Sequence, residues 1–380
     1  MSIYDSIISE NKAWVEEVFS KIDSKLSKVA VRSREKIPYT AKDGVHDTRI
    51  GPDGYGITWW TNGFWGAMNW LMYEATGNEE YKLTAQSSER IMDKAFEQYE
   101  WLHHDVGFMW HILSGASYRL TGDKASLNRE MMAASLLASR YNLSGGFLRA
   151  WNGDKVGWTI IDCMMNIPLL YFASKQCGDD RFTQLAISHA DMALRDHVRE
   201  DGSTAHICVH DPATGELLET LGGQGIGEGS CWSRGLGWGI YGFVLSYIHT
   251  AKKEYLDAAK KMAHYYIANA CEDGYLPRVD YRAPVIEKEQ YDSTAAAIIA
   301  CGLIEIAKAV PENEKRIYLN AAIKTLRAIE QWCDYNADTD ALLLMGTEAY
   351  DRGVHIPIVY GDFFFTEAIC KLMGREFLPW

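Results

Sequence analysis

Apolar residues recur at intervals of three and four along most of the chain, in paired segments separated by a glycine. Residues 64–76, FWGAMNWLMYEAT, lead into Gly77-Asn78, and EEYKLTAQSSERIMDKAF follows with the same period. The pattern predicts a helix, a tight glycine turn and a second helix. It returns around Gly122-Asp123 and Gly178-Asp179, and in looser form from Cys231 and from Ser293. Near the end FFFTEAICKLM has no following partner, while residues 3–28 form an amphipathic helix with none before it. Pairing these two ends closes a ring of six hairpins. An open solenoid is the alternative, but irregular repeat length and a terminus that completes the last pair favour closure.

The first helix of each pair is rich in Gly, Ala and aromatics on several sides, whereas the second carries a charged face. The first helices therefore line the inside and the second ones face solvent. Connections within a pair are short, and those between pairs are long, at roughly residues 40–60, 98–104, 143–159, 199–229, 273–290 and 335–358. All the long loops then gather at one end with the N-termini of the inner helices, where unpaired N–H groups favour anions. Loops on a rigid scaffold are where function is expected. The reading is an all-α chain, one domain over residues 1–380.

Thirteen Trp and twenty-one Tyr exceed what packing alone requires and favour a cleft that stacks flat rings. A formal charge of −13 opposes nucleic acid and anionic membranes as partners. The eight Cys show no CxxC pair and no Cys/His metal spacing, so they read as buried thiols in a reducing compartment. MSIYDSIISENKAW has acidic residues where a signal peptide needs a basic start, and no stretch reaches transmembrane length, which points to the cytoplasm. GxSxG and HExxH are missing. GQGIGEG is read as following no strand and lacks the lysine of a phosphate loop. No metal or cofactor is called for.

Four inner segments open on an aspartate, at Asp105, Asp162, Asp292 and Asp362, and the plain reading of each is a helix N-cap. Asp105 in WLHHDVGFMW and Asp162 in GWTIIDCMMN stand out for their aromatic, His and apolar surroundings. A carboxyl among apolar groups and near a second carboxylate resists ionisation, and such a pair can do general acid/base work. Arg234 in CWSRGLGW sits in a first helical turn, where its charge opposes the helix dipole and calls for an anion or carboxylate partner. His206 and Gln224 fall on the long-loop end. Trp59 and Trp151 suit stacking, and core filling competes at Trp65.

Through these residues the sequence resembles the unsaturated glucuronyl hydrolases of glycoside hydrolase family 88. The resemblance runs in order through GITWWTNGFWGAMNWLMYEATG, HHDVGFMW, RAWNG, IIDCMMNIPLLYFAS, QGIGEGSCWSRGLGWGIYGF, YDSTAAAIIACGL and YGDFFFTEA. It implies an (α/α)6 barrel acting on oligosaccharides that carry a Δ4,5-unsaturated uronic acid at the non-reducing end. It further implies that Asp162 is the acid/base that protonates C4 and activates the water adding at C5, with Asp105 as second carboxylate. His104, His206, Gln224, Arg234, Trp238, Trp59 and Trp151 are the implied substrate contacts. Relatives that prefer sulfated fragments carry Ser-x-x-Ser-x-Lys in the last long loop. Here Thr347, Tyr350 and Arg352 stand at that spacing, with Glu348 and Asp351 opposing sulfate. An unsaturated rhamnogalacturonyl hydrolase, a sugar epimerase with paired His on inner helices, and a non-catalytic carbohydrate-binding protein are the other readings.

Overall fold

A computed structural model describes residues 2–284 and 290–380. Part of the predicted 273–290 loop, residues 285–289, therefore lies outside the described residues. Twelve α-helices are present among the described residues: α1 (Ile3–Arg32), α2 (Phe64–Thr76), α3 (Glu79–Met92), α4 (Ala116–Thr121), α5 (Lys124–Ala138), α6 (Pro168–Cys177), α7 (Arg181–Asp196), α8 (Ser233–Thr250), α9 (Lys253–Ala270), α10 (Ser293–Ala309), α11 (Glu312–Glu330) and α12 (Val359–Leu372). A π-helical stretch, Gly107–Gly115, runs directly into α4, and a 3-10 turn, Ile161–Met165, leads into α6.

Hairpin turns form as the sequence indicates. Gly77 and Gly122 adopt φ of 71° and 75° at the helix ends, a conformation costly for residues with a Cβ. Asn78 and Asp123 then cap the outgoing helices by accepting from the N–H groups of Glu80 and Ala125.

The inner helices pack in succession, α8 on α10, α10 on α12 and α12 on α2, and α2 meets the π-helical stretch. Outside, α1 fills the gap between α11 and α3 and also rests on α12, so the first and last helices complete the sixth hairpin. The fold is an (α/α)6 barrel. Its axis is filled by aromatics rather than left open: Phe64, Phe108, Phe364 and Trp380 lie in contact, with Phe364 and Trp380 stacked at 5.8 Å. Trp65 is buried and belongs to this core.

The structure corrects the sequence reading in three places. Short strands occur in the long loops, the largest set being an antiparallel sheet of Trp158–Ile160, Ile207–His210 and Leu217–Leu221. GQGIGEG thus does follow a strand, although the next helix begins only at Ser233. Cys177 and Cys271 are exposed instead of buried. Of the four aspartates, only Asp292 caps a helix, accepting from the Thr294 N–H at 3.0 Å. Asp362 instead anchors the last loop, accepting from the N–H groups of Leu342 and Leu343. No helix among the described residues is long and apolar enough to cross a membrane.

Ring closure also fixes the last loop. Lys25 on α1 is fully buried, and its ammonium donates to the carbonyls of Asp334 and Ala341 and to Thr339 Oγ1 at 2.6–3.0 Å. Lys25→Met keeps the stem but strands two buried carbonyls. Urea unfolding is expected to show a loss of about 2–4 kcal/mol, the cost of a few buried, charge-assisted bonds. An unchanged midpoint would mean that α1 does not secure the loop.

Candidate active site

The long-loop end holds a cavity of about 730 Å³, and Asp105 and Asp162 both face it. Trp59, His104, Trp151, His206, Gln224, Arg234 and Arg352 line it as well. Trp238 does not. It is fully buried one layer beneath, against Trp60, Phe108 and Tyr360, because it follows Arg234 by four residues and so lies on the same face of α8 one turn deeper into the barrel.

Strand pairing delivers Asp162. Ile160 pairs with Ile207, and the Ile161 N–H donates to the His206 carbonyl at 3.1 Å, so the residues flanking this pair are brought face to face. His206 Nε2 lies 3.6 Å from Asp162 Oδ1, which is buried without a hydrogen-bond partner. The Gln224 N–H donates to His206 Nδ1 at 3.0 Å, which leaves the hydrogen of the neutral ring on Nε2, towards the carboxyl. The glycine-rich segment serves this contact. A side chain on Gly223, at φ 58°, would run into the His206 ring, so only glycine lets the backbone reach it.

Asp105 is placed by a neighbouring loop. His104 Nδ1 lies 2.7 Å from the Ala150 carbonyl and therefore carries a hydrogen, and the Ala150 N–H in turn donates to the Trp158 carbonyl. His104 Nε2 faces Asp105 Oδ1 at 3.2 Å. His103 Nδ1 is 3.4 Å from the other Asp105 oxygen. One nitrogen from each of His103 and His104 and a carboxylate oxygen of Asp105 lie within 4.8 Å of one another.

Burial sets the electrostatics. It pushes His206 and His104 down to about 3, so both rings stay neutral at ordinary pH. Burial raises Asp105, opposed by His103 and by a hydrogen bond from Asn166. Asp162 is pushed well above the usual carboxylate range, first by burial and then by the charge of Asp105, with Arg234 pulling the other way. As pH rises Asp105 ionises first, and its charge then resists ionisation of Asp162.

The expected partner of Arg234 is Asp292, 2.8 Å away at the start of the next inner helix. The guanidinium also donates to the carbonyls of Thr347 and Glu348 and lies 4.3 Å from the centre of the Trp232 ring. Its charge is thus paired, and Nε is left without a partner beside the cavity. Gln224 Nε2 donates to the Glu348 carbonyl, and the Tyr39 hydroxyl bonds the Glu348 carboxylate, stitching three loops around the rim. Of the last-loop trio, Thr347 is fully buried with its hydroxyl donating to the Tyr291 carbonyl, while Arg352 is exposed at the mouth beside Asp351.

Sequence reasoning passed over Arg49, Tyr55 and Trp101, which also line the cavity, as does Glu348. Tyr55 and Trp101 are exposed aromatics in long loops, a signal that was legible.

A family model for Glycosyl Hydrolase Family 88 matches residues 32–343. The chain belongs to this family. It is 34% identical over 324 residues to the unsaturated glucuronyl hydrolase of Bacillus sp. (strain GL1), covering 82% of this chain and 86% of that protein. It is also 34% identical over 327 residues to the unsaturated chondroitin disaccharide hydrolase of Streptococcus pyogenes serotype M1, covering 83% and 81%. The crystal structure of an unsaturated glucuronyl hydrolase from Streptococcus agalactiae aligns with a TM-score of 0.88 at 29% identity, over 96% of this chain and 94% of that one. This family 88 chain is a glycosidase.

The electrostatics give a signed expectation. If Asp162 must be protonated, kcat/KM falls on the alkaline side as its proton is lost, at a pH above the ordinary carboxylate range. Asp105→Asn removes the charge that helps hold that proton, so the alkaline limb moves to lower pH in the residual activity. A pH–rate profile checks both, and a limb that stays put would leave burial alone holding the proton.

Proposed function

We propose that this family 88 hydrolase removes a Δ4,5-unsaturated uronic acid from the non-reducing end of lyase-generated oligosaccharides, with Asp162 as acid and then base. The supporting observation is one carboxyl with a buried Oδ1 that has no hydrogen-bond partner, its titration pushed well above the usual carboxylate range, on the wall of a sugar-sized cavity. Protonating carbon is slow, so the acid must be held close and out of bulk water. Asp162 gives its proton to C4 of the enol ether, and positive charge develops at C5 and the ring oxygen. The carboxylate left behind takes a proton from the water that attacks C5, which returns Asp162 to its starting state. The hemiketal opens to a C5 ketone by breaking its bond to the ring oxygen, which leaves C1 a hemiacetal that collapses to the aldehyde and releases the adjoining sugar. Asp105 accepts from ring hydroxyls, while Trp59 and Trp151 offer faces for sugar rings. All eight cysteines are free, which supports a reducing compartment and hence action in the cytoplasm.

An epimerase is disfavoured because His111, on the inner π-helical stretch, is buried and bonded to Glu130 at 2.5 Å away from the cavity. A mere binder has no use for a protonated acid beside a second carboxyl.

Loss of the ultraviolet absorbance of the conjugated C4=C5 bond reports turnover. Asp162→Asn, which keeps shape but cannot cycle a proton, is expected to lower kcat by about 10²–10⁴-fold without changing the melting temperature downward. Near-normal turnover in that variant would place the acid elsewhere. No absorbance change across glycosaminoglycan, gellan, xanthan and pectin-derived fragments would refute the reaction itself.

Substrate preference is read from the last loop. Thr347 is withdrawn, Glu348 lines the cavity, and Arg352 already faces Asp351, so a sulfate here meets two carboxylates and one exposed cation. Unsulfated disaccharides are expected to exceed sulfated ones in kcat/KM by about tenfold, equivalent to about 1.4 kcal/mol. Arg352→Ala should widen that gap. A preference for sulfated fragments that Arg352→Ala abolishes would reverse this assignment.

A further inference from the structure

Asn166 lies in the turn between Met165 and Pro168, fully buried, and is absent from the residues singled out by sequence. Its amide makes three contacts. Oδ1 accepts from the Phe108 N–H at 2.8 Å, and Nδ2 donates to Asp105 Oδ1 at 3.0 Å and to the Asp162 carbonyl at 3.3 Å. The first contact removes any ambiguity of orientation: a backbone N–H only donates, so the amide oxygen must face Phe108 and the NH2 must face the two aspartates. The two hairpins also meet without room to spare, since a Cβ on Gly107 would lie 2.6 Å from the Asn166 Cα.

We infer that Asn166 is a positioning residue for the reaction, a cross-strut that sets the Asp105 carboxyl and the Asp162 backbone at one fixed separation and, of the two carboxyls, gives a hydrogen bond to that of Asp105 alone. The inference rests on the assignment of Asp162 as the acid. Its chemical content is an asymmetry. Asp105 is buried and so is Oδ1 of Asp162, but the first receives an amide donor and the second has no partner. A donor favours the ionised form of the group it faces. Asp105 is therefore the carboxyl that gives up its proton first, and Asp162 the one that keeps it. Other groups facing Asp105 are His103 and His104 on its own segment, Arg140 beyond α5, and Asp162 and Cys163 across the strut. None of these is hydrogen-bonded to both aspartates as Asn166 is. Helix architecture explains why the residue falls here: the first N–H groups of a helix lack partners, and the Phe108 N–H, at the start of the π-helical stretch, finds its partner in the side chain from the next hairpin.

Asn166→Asp is the decisive variant, because it keeps the volume and the acceptor for the Phe108 N–H while replacing the amide donor that faces Asp105 with a carboxyl oxygen. Its kcat on an unsaturated disaccharide is expected to fall by about 10²-fold with KM changed less than about threefold. The acidic limb of kcat/KM should move to higher pH, since Asp105 then holds its proton longer. Asn166→Ala, which adds no charge, should lose kcat comparably, and it decides the matter if Asn166→Asp fails to melt cooperatively. If the folded variants keep kcat within about threefold and the pH profile does not move, while only the melting temperature falls, Asn166 is a packing residue and the inference is wrong. Asp162→Asn measured alongside separates the two ideas: activity in Asp162→Asn defeats the acid assignment, whereas an inactive Asp162→Asn beside a normal Asn166→Asp defeats the strut alone.

Discussion

Withdrawal of one carboxyl from water is the condition on which this site depends. In bulk solvent an aspartate is ionised at neutral pH and has no proton to give to carbon. Burial penalises the charged form, and a second carboxyl nearby penalises it again once that neighbour has ionised. Asp162 meets both conditions, with the neutral ring of His206 close by instead of a compensating cation. The nearest permanent cation, Arg234, is already paired with Asp292, so its pull on Asp162 is blunted.

Keeping such a group buried places demands on the scaffold. A carboxyl with an unpartnered oxygen is costly to fold around, and it persists only where the surrounding structure leaves no alternative. Ring closure supplies that constraint. Each inner helix is held by two neighbours and by the outer layer, and the axis beneath the site is packed with aromatic rings. The loops above are tied to one another rather than left free. Ala150 links the second inter-hairpin loop to the third, the strands 158–160 and 207–210 link the third to the fourth, and Gln224 and Arg234 link the fourth hairpin to the last loop. A site built at the joints of several loops is thereby as rigid as the barrel that carries them.

The rim is where relatives of this architecture can differ without disturbing the acid. Arg352, Asp351, Tyr55 and Trp101 are exposed, whereas Asp105, His104, His206 and Arg234 are buried. On the proposed reading, substitution at the mouth bears on which sugar is admitted, and substitution below it on whether the chemistry runs.

The helical period, the glycine turns and the unpaired first and last helices were enough to predict six hairpins and a closed ring, because these depend on local propensity and on which face of each helix is apolar. Asp105 and Asp162 were legible for a similar reason: acidic residues set in apolar, aromatic-rich stretches at helix starts are unusual wherever they occur. The eventual partner of Arg234 was foreseen as a type, a carboxylate, though not as Asp292. What only the tertiary structure decided is everything set by the approach of segments far apart in the chain: that Trp238 lies below the cavity and not on its wall, that Asp362 anchors a loop instead of capping a helix, and that Asn166 spans both aspartates. A side chain's direction follows from its place on the helix once the axis is fixed, and the axis is fixed by neighbours the local sequence does not specify. Local pattern therefore determined the elements and the residues fit for chemistry, while packing of one hairpin against the next determined which of them face one another.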